Sequence, residues 1–263
     1  MQITDINDFD IEFLDETDST NNEAKRRLER YDREGLSFTG PFVIVARSQT
    51  AGRGRQGKSF YSPKGTGIYL TVTCPLDCPI TGQVTMTSRT ATAVCRAIDR
   101  AFGIEPGIKW VNDIYVNGRK CCGILCEAVN DYPAGILKYA VIGVGVNITT
   151  DIWPDDIKDS AGALVCMSDD KTGTKTLSDE TFTGFGKILA QEILRAIYHP
   201  SEDDMKYYRE HSLVLGKEIT YTENGTVCGG TAVGIDDNGG LIVRIDQNRT
   251  LTLDSGEITV RLA

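Results

Sequence analysis

The stretch from Arg47 to Gly67 (R-S-Q-T-A-G-R-G-R-Q-G-K-S-F-Y-S-P-K-G-T-G) combines Arg47, Arg53, Arg55, Lys58 and Lys64 with five glycines. No Asp or Glu occurs between Glu34 and Asp77, although the net charge of the chain is -9. Glycines let a backbone come close to a ligand, and arginines between them converge on it with planar sets of donors. This chemistry suits phosphate or carboxylate. Gly52, Gly54 and Gly57 also spell G-x-G-x-x-G, and Gly52 to Ser59 spell the P-loop pattern G-x-x-x-x-G-K-S. Both patterns require a helix directly after the glycines, because the phosphate rests on its N-terminus. Pro63, Gly65 and Gly67 stand where that helix would run, so both motifs fail. The expectation is an anion-binding loop between two strands.

A second group of polar residues interrupts apolar strands. Lys109-Trp110-Val111-Asn112-Asp113-Ile114 puts a lysine, an amide and a carboxylate around a strand-to-strand bend, and Arg119-Lys120-Cys121-Cys122-Gly123 opens the next strand with another lysine. Each lysine taken alone reads as a solvated strand end. Together, Arg53, Arg55, Lys109 and Lys120 point to a cationic pocket for the phosphates of a nucleotide, where they would stabilise charge spreading in a transition state. The two histidines, His199 and His211, lie in or beside late helices, which argues against a Ser-His-Asp triad or a histidine metal site. Cys74/Cys78 and Cys121/Cys122/Cys126 lack paired C-x-x-C spacing with a histidine partner, so no metal site is expected.

The elements that must carry these residues follow from periodicity. At 263 residues, 40% hydrophobic and 25% charged, the chain is long enough for one large domain and a small one. No apolar run reaches bilayer length and the N-terminus is no signal peptide, so a cytoplasmic protein with reduced thiols is expected, with no membrane partner. The acidic balance argues against nucleic acid. Ile11–Leu14 reads as a strand. Thr20 and Glu23 fit a capping box that starts a helix with Ala24 and Leu28 on one face. Phe42–Ala46 and Ile68–Val72 are strands flanking the basic loop. Val84–Phe102 is an amphipathic helix stopped by Gly103. Ile108–Trp110, Ile114–Val116 and Cys121–Ala128 are close strands, with Asn117-Gly118 a hairpin turn. Tyr139–Val146 is a further strand, 150–178 a polar loop, Phe182–Tyr198 a second amphipathic helix and Met205–His211 a short one. From Leu213 onward, short alternating strands separated by Gly-rich turns indicate a small all-β unit.

In order and content these segments resemble the biotin protein ligases. The matching pieces are Asp18-Ser19-Thr20-Asn21, Gln49-Thr50-Ala51-Gly52-Arg53-Gly54-Arg55, Lys109 to Tyr115, Arg119 to Leu125 and Gly143-Val144-Gly145-Val146-Asn147. The resemblance implies an α+β fold: a mixed sheet flanked by helices, class II synthetase-like, in residues 1–211, then an SH3-like β-barrel in 212–263. It implies that ATP, with Mg²⁺, activates biotin as biotinyl-5'-AMP, which a lysine of a biotin carboxyl carrier protein then captures. Ser19, Thr20, Asn21, Gln49, Gly52, Arg53, Gly54, Arg55, Lys120 and Gly123 would bind biotin. Arg55, Phe60, Lys109, Asn112, Lys120, Asn147 and Arg261 would bind the nucleotide. Arg55, Lys109, Asp113 and Lys120 would carry the chemistry, Arg55 retaining the adenylate under a closing loop. The resemblance also allows a homodimer through the main sheet, and the DNA-binding segment of some family members is not expected. Departures from the family pattern are Gln56 for a basic residue, Phe60 for an adenine-stacking tryptophan and Val111 for proline. A lipoate or octanoate ligase shares this fold and logic, and a non-catalytic biotin sensor is the reading from another class. The polar cluster at Ser19 to Asn21 favours biotin, because a lipoyl tail needs mostly apolar walls.

Overall fold

The computed structural model describes residues 9–36, 40–75, 82–131, 136–165, 176–223, 225–254 and 258–260. A seven-stranded mixed sheet runs in the order β1-β2-β3-β7-β6-β5-β4. Its strands are β1 (Asp10–Leu14), β2 (Phe42–Ala46), β3 (Gly67–Pro75), β4 (Gly107–Lys109), β5 (Asp113–Val116), β6 (Arg119–Asp131) and β7 (Ile136–Asn147). β1 and β2 are parallel, and the other neighbours are antiparallel.

Strand alternation divides the chemistry between two faces. On one face Val43, Val45, Ile142, Val144 and Cys126 join the main core with helices α2 (Gln83–Phe102) and α3 (Asp179–Tyr198). On the other, Phe42, Ile44, Tyr139 and Val141 meet Ala24 and Leu28 of α1 (Thr20–Arg33). Continuing that second face along β7 and its partner β6 brings up Gly143 and Gly145 opposite Leu125 and Gly123, with Glu127 opposite Val141. The face carrying α1 therefore ends in a strip almost without side chains. The pocket forms there.

Helix ends show where local signals were right and where tertiary contacts replaced them. α2 stops at Gly103, which takes the left-handed conformation (φ 65°), as read from the sequence. The Thr20–Glu23 capping box is not formed. Ser19 is the N-cap and makes no side-chain capping bond, while the Thr20 amide donates to Gln49 Oε1 at 2.9 Å, 29 residues away. α4 (Glu202–Glu210) starts earlier than its apolar pattern indicates, because Ser201 and Asp204 form a reciprocal capping box. No helix among the described residues is long and apolar enough to cross a membrane.

A five-stranded antiparallel sheet of SH3-like type follows, in the order β11-β10-β9-β8-β12. Its strands are β8 (Glu218–Glu223), β9 (Thr226–Ile235), β10 (Leu241–Arg244), β11 (Thr250–Leu253) and β12 (Ile258–Val260). The turn between β9 and β10 rests on the larger sheet's helices and on the bend after Lys109. Thr85 Oγ1 donates to the Asn238 carbonyl at 2.9 Å, and Trp110 Nε1 donates to the Gly239 carbonyl at 2.8 Å. Residues 150–165 carry neither helix nor strand beyond an isolated bridge, and 166–175 of the expected polar loop lie outside the described residues.

Asp204 is fully buried and ties three helices together. Its Oδ1 accepts from Arg96 of α2 at 2.5 Å and Arg195 of α3 at 2.9 Å, and its Oδ2 accepts from the Ser201 amide at 3.0 Å. Burial pushes this carboxyl up, but the Ser201 amide and the two arginines outweigh it and hold it below its usual range. Asp204→Ala takes the buried acceptor from Arg96 and Arg195, leaving Arg195 only Glu192 at 3.4 Å, and should cost about 3–5 kcal/mol in urea denaturation. The wild-type contribution should be complete above the unfolded carboxyl value of about 3.9 and disappear as the pH falls through the lower folded value. A wild-type pH profile matching that of the variant would show that Asp204 is not the group responsible.

Candidate active site

A cavity of about 280 Å³ opens over the glycine strip, walled by the start of α1, the loop after β2 and the bend between β4 and β5. The strand β12 closes one side through Ile258 and Thr259. Of the residues singled out in the sequence, Ser19, Thr20, Asn21, Gln49, Arg53, Gly54, Arg55, Phe60, Lys109, Asn112, Asp113, Lys120 and Gly123 all line it.

The polar end is buried and tightly wired. Ser19, Thr20 and Asn21 are each 3% exposed or less. Gln49 Oε1 accepts from the Thr20 amide and hydroxyl, and Gln49 Nε2 donates to Ser62 Oγ at 2.9 Å. Thr71 Oγ1 lies 2.8 Å from Thr20 Oγ1 and 2.6 Å from Asn21 Oδ1. Asn21 Nδ2 donates to Glu127 at 2.9 Å and reaches the Leu125 carbonyl at 3.4 Å. Asn21 is therefore largely committed within the protein, while the Ser19 hydroxyl makes no capping hydrogen bond among the described residues. Such an array suits a small polar ring with both donors and acceptors.

The other end is cationic, and four of its charges rest on identified groups. Arg53, Arg55, Lys58, Lys109 and Lys120 line the cavity, against Asp113 as the one carboxylate among the described lining residues. Arg53 donates from both terminal nitrogens to the Glu127 carboxylate at 3.0 Å. Arg55 donates to Asn112 Oδ1 at 2.9 Å. Lys120 Nζ sits 2.6 Å from Asp113 Oδ1, an ion pair lying off the hydrogen-bonding axis. Lys109 lies 5.9 Å from the Tyr115 ring centre, and burial pushes that phenol up to about 12. The acids missing from the basic loop in sequence thus arrive from β5 and β6.

The loop matches its expected character. It joins β2 to β3 with a single 3₁₀ turn at Arg55–Gly57 and no helix after the glycines. The Phe60 ring lies across Gly145 and Gly123, where added Cβ atoms would meet it at 2.4 and 3.1 Å. A Cβ on Gly143 would meet Asn21 Oδ1 at 2.3 Å. Gly52 is required by close packing rather than by the cavity: its Cβ would fall 2.4 Å from the Phe60 carbonyl oxygen.

Among the described residues, two expected contacts, Gly52 and Asn147, do not line the cavity. Asn147 ends β7, and its Oδ1 is buried without a partner. Arg261 lies outside the described residues. Conversely, Glu127 and Thr71 were missed; an acid inside the apolar run Cys121 to Ala128 was the available signal. The cysteines of that run are buried thiols, with Cys121 pushed up to about 12 and Cys126 to about 11 by burial, so neither is a nucleophile at neutral pH.

Residues 14–147 match the sequence profile of the biotin/lipoate A/B protein ligase family, and 214–261 that of the biotin protein ligase C-terminal domain. The chain belongs to the biotin/lipoate A/B protein ligase family. It is 32% identical over 208 residues to the bifunctional ligase/repressor BirA of Bacillus spizizenii, covering 78% of this chain and 62% of that protein. It is 25% identical to the biotin–[acetyl-CoA-carboxylase] ligase of Mycobacterium tuberculosis, covering 94% of this chain and 88% of that one. The chain thus spans about 62% of the length of the Bacillus BirA relatives it matches. In fold it resembles the Aquifex aeolicus biotin protein ligase solved with biotin and ATP, with a TM-score of 0.72 at 23% identity over 97% of this chain and 99% of that one.

The ligase-family profile spans the polar and cationic walls of the cavity, and the C-terminal profile spans Ile258 and Thr259, so the site draws on both matched regions. The glycine strip gives a direct test of this geometry. Gly145→Ala should cost about 1–3 kcal/mol by urea denaturation, because the methyl group collides with Phe60. In a Phe60→Ala background the same substitution should cost less than about 0.5 kcal/mol. Equal costs in both backgrounds would show that Phe60 does not rest on Gly145.

Proposed function

We propose that this chain makes biotinyl-5'-AMP from biotin and ATP and passes the biotinyl group to a lysine of a biotin carboxyl carrier protein. The observation that carries this reading is the two-ended cavity: buried Ser19, Thr20, Asn21 and Gln49 face a ring-sized polar end, and Arg55, Lys109 and Lys120 face the other. A polar bicyclic ring fits the first end, and a carboxylate meeting a triphosphate fits the second. The names of the relatives and the match to a biotin ligase C-terminal domain support biotin over lipoate.

In this reading the biotin carboxylate oxygen attacks the α-phosphorus and pyrophosphate leaves. The carrier amine then attacks the acyl carbon, loses a proton and expels AMP. Lys120, with Arg55, would stabilise the charge that develops on the α-phosphate, and Lys109 and Asn112 would hold the remaining phosphates. Phe60 would pack against the bound ligands from the sheet side. Asp113, paired with Lys120 before substrate arrives, is the lining carboxylate available to Mg²⁺. No group of three or more His, Cys, Asp or Glu able to hold a metal occurs among the described residues. That donor set fits a magnesium ion held chiefly by phosphates and water, neutralising their charge. Division of the chain near residue 211, and a reducing cytoplasmic setting for its buried thiols, complete the proposal; β8 begins at Glu218 and five of the described cysteines are buried and free.

The deciding experiment is biotin-dependent ATP–pyrophosphate exchange, with lipoate as the control acid. Exchange with biotin alone is expected, and exchange with lipoate alone would move the assignment to a lipoate ligase. Lys120→Ala should reduce adenylate formation by about 10²–10³-fold, since it removes a charge aimed at the reacting phosphate. Arg55→Gly should release biotinyl-AMP and label bystander proteins, whereas unchanged selectivity would remove Arg55 from a retaining role.

A further inference from the structure

The Glu127 carboxylate is the meeting point of three separate elements. It accepts from Asn21 at the start of α1 at 2.9 Å, from Lys25 one turn later at 2.7 Å, and from Arg53 of the loop at 3.0 Å through each nitrogen. Its side chain is 18% exposed, and it sits on β6 opposite Val141, on the α1 face of the sheet. Burial pushes its carboxyl up, but Lys25, Asn21 and Arg53 outweigh this and keep it below the usual range, hence ionised at neutral pH.

An ionised carboxylate can only accept hydrogen bonds, so the Asn21 amide must turn its NH₂ toward Glu127. Asn21 Oδ1 then faces Thr71 Oγ1 at 2.6 Å, where an amide oxygen can only accept. Thr71 has one proton and must give it to Asn21. Toward Thr20, 2.8 Å away, Thr71 is left as an acceptor, so the single Thr20 hydroxyl proton is shared between Thr71 Oγ1 and Gln49 Oε1 at 3.2 Å. The single charge on Glu127 thereby fixes which groups donate and which accept at Asn21, Thr71 and Thr20. The same carboxylate holds Arg53, so it also fixes the near end of the glycine-arginine loop.

We propose that Glu127, although it does not line the cavity, is the positioning residue that sets the hydrogen-bond polarity of the polar subsite and latches the loop above it. The proposal rests on the biotin reading of that subsite. Replacing the carboxylate with an amide keeps the shape but removes the constraint: a glutamine can donate to a flipped Asn21, and it cannot match the charge of Arg53. A purely structural role for Glu127 predicts lower stability with unchanged ligand selectivity.

The test compares the wild-type chain with Glu127→Gln and with the control Lys25→Met, which removes the other ion partner without touching Asn21 or Arg53. In calorimetric titrations, Glu127→Gln should weaken biotin binding by about tenfold or more. ATP binding should stay within about twofold, and Lys25→Met should bind biotin like the wild type. In the ligand-free protein, trypsin should cut after Arg53, Arg55 or Lys58 several times faster in Glu127→Gln than in the other two, at temperatures where all three remain folded. Equal biotin affinity and equal cleavage in wild type and Glu127→Gln would overturn the proposal. So would a Lys25→Met protein as impaired as Glu127→Gln, because the effect would then be general electrostatics. A wild-type chain that binds lipoate and not biotin would instead sink the biotin reading. The proposal would then stand or fall on the relative affinity of wild type and Glu127→Gln for lipoate together with the trypsin comparison.

Discussion

Five cationic side chains around one cavity repel one another, and a folded protein must give each of them something to rest on before any ligand arrives. Here four of them rest on groups recruited from outside the basic loop: Arg53 on Glu127, Arg55 on Asn112, Lys120 on Asp113 and Lys109 beside the Tyr115 ring. These partners are weaker anions than a triphosphate, or neutral. A ligand carrying several negative charges can therefore displace them without leaving a cation unpaired on either side of the exchange. The site is stable because its charges are compensated within the protein, and receptive because that compensation is exchangeable.

That arrangement depends on how close α1 and the loop can come to the sheet. Along the α1 face of β6 and β7 the side chains disappear at Gly123, Gly143 and Gly145. Asn21 and Phe60 occupy the vacated volume, each within collision distance of any Cβ that replaced a hydrogen. A residue with a side chain at Gly143 would lift Asn21 and, with it, the first turn of α1. One face of a strand pair thus sets the depth of the cavity, and the opposite face of the same strands supplies the apolar core against α2 and α3.

The elements were legible because their signals are local: strand alternation, helical periodicity, Gly103 at the end of α2 and Asn117-Gly118 at the β5–β6 turn. Rejection of the P-loop was equally local, since Pro63 alone forbids the helix that motif needs. Most of the candidate site was also visible, as clusters of unusual residue types. The failures share a cause. The cap of α1 is made by Gln49 across 29 residues, so a capping rule restricted to neighbours assigned it to Thr20 and Glu23. Glu127 reads as one polar position in an apolar strand until folding brings Asn21, Lys25 and Arg53 to it, from 74 to 106 residues away along the chain. Apparent absence of acid around the loop was a property of the sequence, not of the site.

The two walls of the cavity differ in how they are held, which bears on how the site operates. The bend after Lys109 is pinned at every residue. Trp110 is bonded to the Gly239 carbonyl of the smaller sheet, Val111 accepts from Tyr208 at 3.1 Å, and Asn112 exchanges bonds with Ile124 through its side chain and carbonyl at 3.1 and 3.0 Å. Lys109, Asn112 and Asp113 therefore project from a backbone fixed by both sheets and by α4. In the loop wall Gln49, Thr50 and Ala51 are tied to Thr20, Thr17 and Asp18, whereas Arg53 and Arg55 further along meet the rest of the protein through side-chain bonds that a charged ligand can replace. A rigid wall can hold charges aimed at one point in space, which is where electrostatic stabilisation gains its strength. An exchangeable wall can let a substrate enter and then close on it. The smaller sheet, whose apolar residues Ile219, Ala232, Ile235 and Val243 are continuous with the main core, belongs physically to the rigid side. Its contribution to the site is thus to hold the bend at Trp110 as well as to line the cavity at Ile258 and Thr259.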